Sequence, residues 1–313
     1  MISTRNRAAV LEDTLRSLFR DTSRVSRELV VVDNGSTDST RDTVSRVATE
    51  HPSIRLRCIP QELPGKSRSL NLGVAATEAE FLIFTDDDVL VDDGWADALV
   101  APFADMSVAV VGGRTLPLWP AGHAPIWLGD RVAEDLGLRD AGDVPRRLDP
   151  YGVVGVNMAL RRAVLSGVEG PFETTLGPAA NMKIDYEEYH LVSRLAEDHE
   201  IAYAPNAIVR HRIDAARLDW NWMRRMYFQR GLGSGRHDRL ASTSLPRPVA
   251  SAALFAHSYP RAQRLRVKHF LRGRSRPEQA EAEFFAFFAA GRHLEWLLGR
   301  HPRVCLRIAS LLA

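Results

Sequence analysis

Phe81-Leu82-Ile83-Phe84-Thr85-Asp86-Asp87-Asp88 is an apolar run closed by three carboxylates. A run this short, bounded by turn residues, suits a strand buried on both faces. Two other stretches repeat the design. Glu28 to Asp33 (ELVVVD) also ends in a carboxylate, and Val108 to Val111 (VAVV) ends in Gly112-Gly113. Helical patterns lie between them. Leu11, Leu15, Leu18 and Phe19 share one helix face, and Val44 and Val47 mark a second helix that Ser36 or Asp38 can cap. Leu70 and Val74 mark a third. Strand–helix alternation predicts a mostly parallel sheet with helices on both faces. Such sheets bind ligands at the carboxyl ends of their strands, where Asp33 and Asp86–Asp88 stand.

The rest of the 313 residues bounds the reading. Apolar residues at 45% and charged residues at 26% are ordinary for a globular chain with a sizeable core. Two cysteines, Cys58 and Cys305, make no metal-binding spacing and point to a reducing compartment. No signal peptide is visible after Met1, and the longest late uncharged stretch, residues 248–260, is too short to span a bilayer. These features predict a cytoplasmic protein, with peripheral contact at the inner face of the cell membrane as an extension. Charge is uneven: residues 201–313 carry 20 Lys and Arg against 7 Asp and Glu, the first 200 carry 21 against 32. An acidic half beside a basic half suits a metal site and an anionic partner, although blocks of charge are also simply solvated.

Residues 114–150, rich in Pro, Gly, Asp and Trp, read as a long irregular excursion. Residues 151–160 read as a glycine-bearing strand and Asp185 to Glu197 as a helix. Residues 201–203 and 208–209 read as short strands separated by Pro205-Asn206. From Asp219 the chain reads as helical. Phe284, Phe285, Phe288 and Trp296 recur at helical spacing, as do Val304, Ile308, Leu311 and Leu312. The aromatic stripe is read as core or an oligomer contact rather than a ligand box. The predicted division is a catalytic domain at 1–215, with halves at about 1–113 and 114–215, and a helical tail at 216–313.

Three adjacent carboxylates repel one another unless a cation or solvent intervenes. If strand alternation continues, Asp86 and Asp88 project to one side, and two hard oxygen ligands there suit Mg2+ or Mn2+, which also takes phosphate oxygens. The competing reading is an acidic turn or helix cap. Asp33 at a strand end can accept hydrogen bonds from a nucleobase or ribose, while the Asn-Gly-Ser-Thr turn after it also serves as a helix start.

Taken in order, several segments resemble family 2 glycosyltransferases of the GT-A fold. They are residues 3–7 (STRNR), 30–40 (VVVDNGSTDST), Gly65-Lys66 followed by Leu70-Asn71-Leu72-Gly73, and 84–89 (FTDDDV). Further on come 155–162 (GVNMALRR), Gly170-Pro171-Phe172-Glu173 with Leu176-Gly177, Glu187-Glu188, and 201–205 with Val209-Arg210-His211. The likeness covers about residues 1–235. It implies a GT-A-type, Rossmann-like α/β sheet flanked by helices. It implies an inverting transfer of a sugar from a nucleotide-diphosphate sugar, UDP-sugars first, to a hydroxyl of a saccharide or lipid-linked acceptor, as in polysaccharide or glycolipid synthesis. A divalent cation, Mn2+ or Mg2+, is the implied cofactor, and no nucleic acid is implied.

By position, the resemblance places Thr4, Arg5 and Asn6 at the base pocket, with Asp33 accepting from the base. Lys66 or Arg68 would face the nucleotide, and Asn71, Asp87 and Asn157 would line the donor site. Asn157 also has a backbone-bonding reading. Asp88 would bind the metal and through it the diphosphate, Asp86 would contact ribose or metal, and His211 would sit near the metal or the diphosphate; the three are the expected metal group. Glu188 would be the general base with Glu187 in support; because the family usually has Asp at this point, Asp185 and Glu187 are the alternates. Only Met1 and Ile2 precede Ser3, so the family's first strand should be missing or very short, and residues 179–183 replace a glycine-richer loop. Two rivals are a sugar nucleotidyltransferase, for which Arg5-Asn6-Arg7 lacks the usual glycine, and a weakly catalytic nucleotide-sugar scaffold.

Overall fold

The protein is described by a computed structural model over residues 1–178, 184–241, 245–301, 304–305 and 307–309. The predicted loop at 179–183 and Leu311 and Leu312 of the last stripe lie outside the described residues. In chain order the elements are β1 (Ile2–Thr4), α1 (Ala8–Arg20), β2 (Glu28–Asp33), α2 (Thr40–Glu50), β3 (Arg55–Pro60), α3 (Lys66–Ala75), β4 (Phe81–Thr85), β5 (Val89–Val91) and α4 (Trp95–Val100). There follow β6 (Val108–Leu118), α5 (Asp130–Glu134), β7 (Arg146–Arg147), β8 (Asn157–Arg161), α6 (Glu187–Leu195), β9 (Glu200–Arg212), α7 (Trp220–Leu240), α8 (Pro248–Arg272) and α9 (Pro277–Leu298).

The first compact unit comprises Met1–Leu118, Gly137–Thr175 and Glu187–Arg212. Its amino-terminal half is the expected parallel sheet, β1 beside β2 beside β3. The first strand is present but only three residues long, with Thr4 level with Asp33. The Thr85 amide donates to the Met1 carbonyl (3.1 Å), which joins this sheet to β4. The second half is mixed. β8 runs antiparallel between β4 and β6, whereas β6 and β9 are parallel. The two short strands expected at 201–203 and 208–209 are one strand, β9. It absorbs Pro205-Asn206 in an irregularity, so that Gly113 faces Ala204 and Arg114 faces Ile208. A bulge lets a strand carry residues that cannot join the ladder without ending it.

The apolar faces predicted for the helices are the buried ones. Leu11 and Leu15 of α1 are fully buried against the sheet, each worth about 1.5–3 kcal/mol relative to exposure. Asp38 accepts from the amides of both Ala8 (3.3 Å) and Thr40 (3.1 Å), so one carboxylate serves the starts of α1 and α2.

The second unit is discontinuous: Trp119–Leu136, Leu176–Tyr186 and Ile213–Ala313. It therefore takes segments from inside the predicted 1–215 domain as well as the expected helical tail. The reason lies in the side chains of the excursion. Trp127 packs its ring against Trp220 and Phe284, and Asp135 accepts from Tyr227 (2.5 Å) and Arg230 (2.8 Å). Of the aromatic stripe of α9, Phe284 is fully buried and stacks on Tyr227, whereas Phe285, Phe288 and Trp296 are half-buried and Trp296 donates to Asp238 (2.9 Å). Helices α7 and α9 cross at glycines. A Cβ on Gly231 would lie 2.0 Å from the Phe288 carbonyl oxygen, and one on Gly291 1.9 Å from that of Phe228. Buried charges in this unit are paired, Glu283 with Arg224 and His269, Glu295 with Arg236 and Arg239.

Candidate active site

The carboxyl ends of β1, β2 and β4 lie side by side in the first unit and carry Thr4, Asp33 and the Asp86–Asp88 turn. Asp33 is fully buried. Its Oδ1 accepts from the Ser36 amide (2.9 Å) and its Oδ2 from Arg41 Nε. Burial alone would raise this carboxyl; the bonds from Ser36 and Arg41 outweigh it and hold the group below the usual carboxylate range. Asn6, in the left-handed region at φ 54°, is exposed, and its Oδ1 accepts from the Thr37 amide (2.7 Å). It braces the turn after Asp33, a conformation that asparagine tolerates better than most residues. Arg5 is exposed.

The acidic turn begins where β4 stops, so the pairing of Asp86 with Asp88 comes from the turn and not from strand alternation. Asp87 is turned inward. It accepts from Thr4 Oγ1 (2.6 Å) and Arg7 Nη1 (2.7 Å). Burial pushes its carboxyl up to about 6, opposed by Arg7 and reinforced by repulsion from Asp88 and Asp86. The same Arg7 nitrogen donates to Asp88 Oδ2 (2.9 Å). The Thr14 hydroxyl of α1 fixes the backbone of the turn: it lies within donating distance of the carbonyls of Asp87 (2.9 Å) and Val89 (2.8 Å) and accepts from the Val89 amide (3.2 Å). His211 sits opposite Val89 across the β5–β9 pairing, with its Nε2 3.3 Å from Asp88 Oδ1. One ligand atom from each of Asp86, Asp88 and His211 lies within 4.8 Å of the other two. Two carboxylates and an imidazole at this separation fit a small divalent cation such as Mn2+ or Mg2+, with Asp86 the half-buried member of the three.

Lys66 opens α3 and reaches three carboxylates, Glu188 (2.9 Å), Asp86 (3.3 Å) and Glu187 (3.9 Å). Arg68 instead is exposed and donates to the Pro64 carbonyl (3.3 Å) on its own turn. Of the two expected alternatives, Lys66 is thus the one brought to the acidic cluster. Glu187 and Glu188 are both buried in the first turn of α6, where the helix dipole favours negative charge. Glu188 lies directly over Gly155. A Cβ there would come 2.2 Å from its Oε1, so the glycine of the 155–162 segment makes room for this side chain. Asp185 is exposed and falls in the second unit.

Two asparagines expected at the donor site are engaged elsewhere. Asn157 is fully buried; its Nδ2 donates to the carbonyls of Arg114 (2.9 Å) and Ala207 (2.8 Å), and its Oδ1 accepts from Trp95 Nε1 (2.9 Å). It pins the irregularity of β9, which is the backbone-bonding alternative. Asn71 makes a reciprocal pair with the backbone of Phe172, at 2.8 and 2.9 Å. Arg7 is the residue the sequence reading missed. Its presence in the segment 3–7 was visible, but its bridging of two aspartates about 80 positions away was not.

A family model described as "Glycosyl transferase family 2" matches residues 1–167. The chain is 27% identical over 258 residues to the pre-mycofactocin glycosyltransferase of Mycobacterium tuberculosis, covering 82% of this chain and 51% of that one. It spans about half the length of that curated relative. Among solved structures, it resembles a mannosyltransferase from Pyrobaculum calidifontis in complex with GDP-Man and Mn2+. The TM-score is 0.57 at 20% identity, over 99% of this chain and 78% of that one. It also resembles GalNAc-T7 with UDP, GalNAc and Mn2+, with TM-score 0.52 at 16% identity, over 74% of this chain and 50% of the other. At these identities the likenesses establish the fold, which is GT-A.

Proposed function

The chain belongs to glycosyl transferase family 2, and from that membership we propose that it moves a sugar from a nucleotide-diphosphate sugar to an acceptor hydroxyl with inversion. The observation that carries this reading is the convergence at one sheet edge. Asp86, Asp88 and His211 form a cation-sized group, and Lys66 links Asp86 to the buried carboxylate of Glu188.

The chemistry needs two opposite services. A nucleoside diphosphate leaves with growing negative charge, and an acceptor hydroxyl must lose a proton that it holds tightly. Asp86, Asp88 and His211 would hold a divalent cation, Mn2+ or Mg2+, which when bound offsets the charge on the diphosphate. Arg7 neutralises the inward carboxylate of Asp87 and orients Asp88 through its Oδ2. Glu188 accepts the acceptor's proton as the new C1–O bond forms and the C1–O bond to phosphate breaks. A single displacement needs one base and no carboxylate nucleophile on the protein. Lys66 pairs with Glu188 (2.9 Å) before substrate arrives and stands beside the path of the diphosphate. Asp33, Thr4 and Asn6 border the place for the base and ribose.

UDP-sugars are the first donors to test, since a UDP-bound structure shares the fold, and GDP-sugars follow on the same ground. A saccharide or lipid-linked alcohol is the proposed acceptor class. Incubation with each nucleotide-sugar and Mn2+ tests the proposal: release of nucleoside diphosphate is expected. Formation of nucleoside triphosphate and sugar 1-phosphate when pyrophosphate is added would mark a nucleotidyltransferase instead, and tight donor binding without turnover would mark a scaffold.

A further inference from the structure

We propose that helix α8 docks the protein on an anionic lipid bilayer through a ridge of apolar side chains flanked by arginine and lysine. From Arg239 to Pro277 the sequence holds nine Lys and Arg and no Asp or Glu. Five of these basic residues, Arg261, Arg264, Arg266, Lys268 and Arg272, are on α8 itself.

The helix is buried along one line only. Ser251, Ser258, Ala262 and His269 recur every four or seven residues and face inward. The opposite line is apolar as well. Positions 249, 253, 256, 260, 267 and 271 fall on one side of a helix of 3.6 residues per turn, and they hold Val, Ala, Ala, Pro, Val and Leu. Val249, Val267, Phe270 and Leu271 are 82%, 57%, 67% and 76% exposed. Arg274 lies over the Phe270 ring, 5.2 Å from its centroid, yet leaves most of the side chain open. Arg264, Lys268, Arg261 and Arg272 stand on one flank of this ridge and Arg266 on the other.

A helix with an apolar ridge, cationic flanks and 25 residues lies in the plane of a membrane surface. Its long basic side chains reach the phosphates while the ridge enters the acyl boundary. No helix among the described residues is long and apolar enough to cross a membrane, so the proposed contact is superficial. Nucleic acid would use the cations but leave Val267, Phe270 and Leu271 in water. A second copy of the chain would bring like charges together. An anionic bilayer satisfies both features. The proposal stands apart from the transfer reaction, because vesicle binding is read without donor or acceptor.

The test is flotation of the full chain with vesicles of phosphatidylcholine, alone or mixed with phosphatidylglycerol. Binding is expected to the mixed vesicles only and to weaken as salt screens the charges. The triple variant R264Q/K268Q/R272Q is expected to bind about 100-fold more weakly, since each surface cation near an anionic leaflet contributes roughly a factor of five. The variant V267S/F270S/L271S is expected to lose at least about tenfold while keeping its cations and its melting temperature. All six positions are exposed, so both variants should fold. Absence of wild-type binding to mixed vesicles would overturn the proposal, as would equal binding to neutral ones. So would a dimer in light scattering that the serine variant abolishes, since the ridge would then belong to a second copy.

Discussion

Replacing Gly155 by alanine should disable the site without removing any functional group. The added Cβ would fall 2.2 Å from Glu188 Oε1, 2.8 Å from its Cδ and 3.0 Å from its Cγ. Ordinary contact begins at 3.4 Å, so the carboxylate has to retreat by more than about 1 Å. All three atoms belong to the Glu188 side chain beyond its Cβ, which can swing, so the backbone is not forced open and the melting temperature should change little. The catalytic geometry is less forgiving: a misplacement of about 1 Å costs on the order of 100-fold in rate. The retreat also disturbs the 2.9 Å contact between Glu188 and Lys66. The expected result is a fall in kcat of about 100-fold, with donor affinity by calorimetry within about twofold of the parent, because Gly155 lies against Glu188 and not among the cation ligands. The assay is nucleoside diphosphate release with the donor chosen by the first screen, alongside circular dichroism to confirm the fold. Full turnover in a folded Gly155→Ala chain would refute the placement of Glu188 as the base.

The direct substitution Glu188→Gln should lower turnover by at least about 100-fold while donor still binds; unaltered turnover would move the role to Glu187 or Asp185. Asp88→Ala should abolish the Mn2+-dependent part of donor affinity, read by titration calorimetry with and without the metal; unchanged affinity contradicts the cation group. Asp87 is raised from 3.8 to about 6, so the fold binds its proton more tightly than the unfolded chain. Its contribution to stability is therefore present below about pH 4 and lost as pH rises through about 6. Metal-free Asp87→Asn should lack that decline in denaturant titrations, and an identical pH profile would show that the group does not titrate there. Gly231→Ala should destabilise the helical unit by about 3 kcal/mol or more, since the nearest atom to the new Cβ is a backbone carbonyl that cannot swing aside; an unchanged melting temperature would contradict the helix crossing.

Much of the fold was readable because strand and helix leave different periods in the chain. The buried strands Glu28–Asp33 and Phe81–Thr85 and the faces of α1 and α2 are local patterns, and they stand where the pattern placed them. The boundaries of the helical unit were less readable. Trp127 and Asp135 join residues about 90 positions later, and nothing near them in sequence announces that partnership. The division of labour among polar residues was also hidden. Asn71 and Asn157 look like ligand-binding amides in a linear motif, but Asn71 bonds the backbone of Phe172, and Asn157 bonds the backbone of Arg114 and Ala207 and the Trp95 side chain.

By itself the sequence determined which chemistry was available: carboxylates at strand ends, a lysine opening α3, an acidic pair opening α6 and a histidine closing β9. Periodicity and side-chain type are local properties, and they survive being read one residue at a time. Only the tertiary structure decided which of those groups meet. It chose Lys66 over Arg68, put Arg7 between Asp87 and Asp88, and laid Glu188 across Gly155. Those choices depend on turns and on sheet register, through which small backbone rotations move side chains by several ångströms, and no pattern along the chain encodes them.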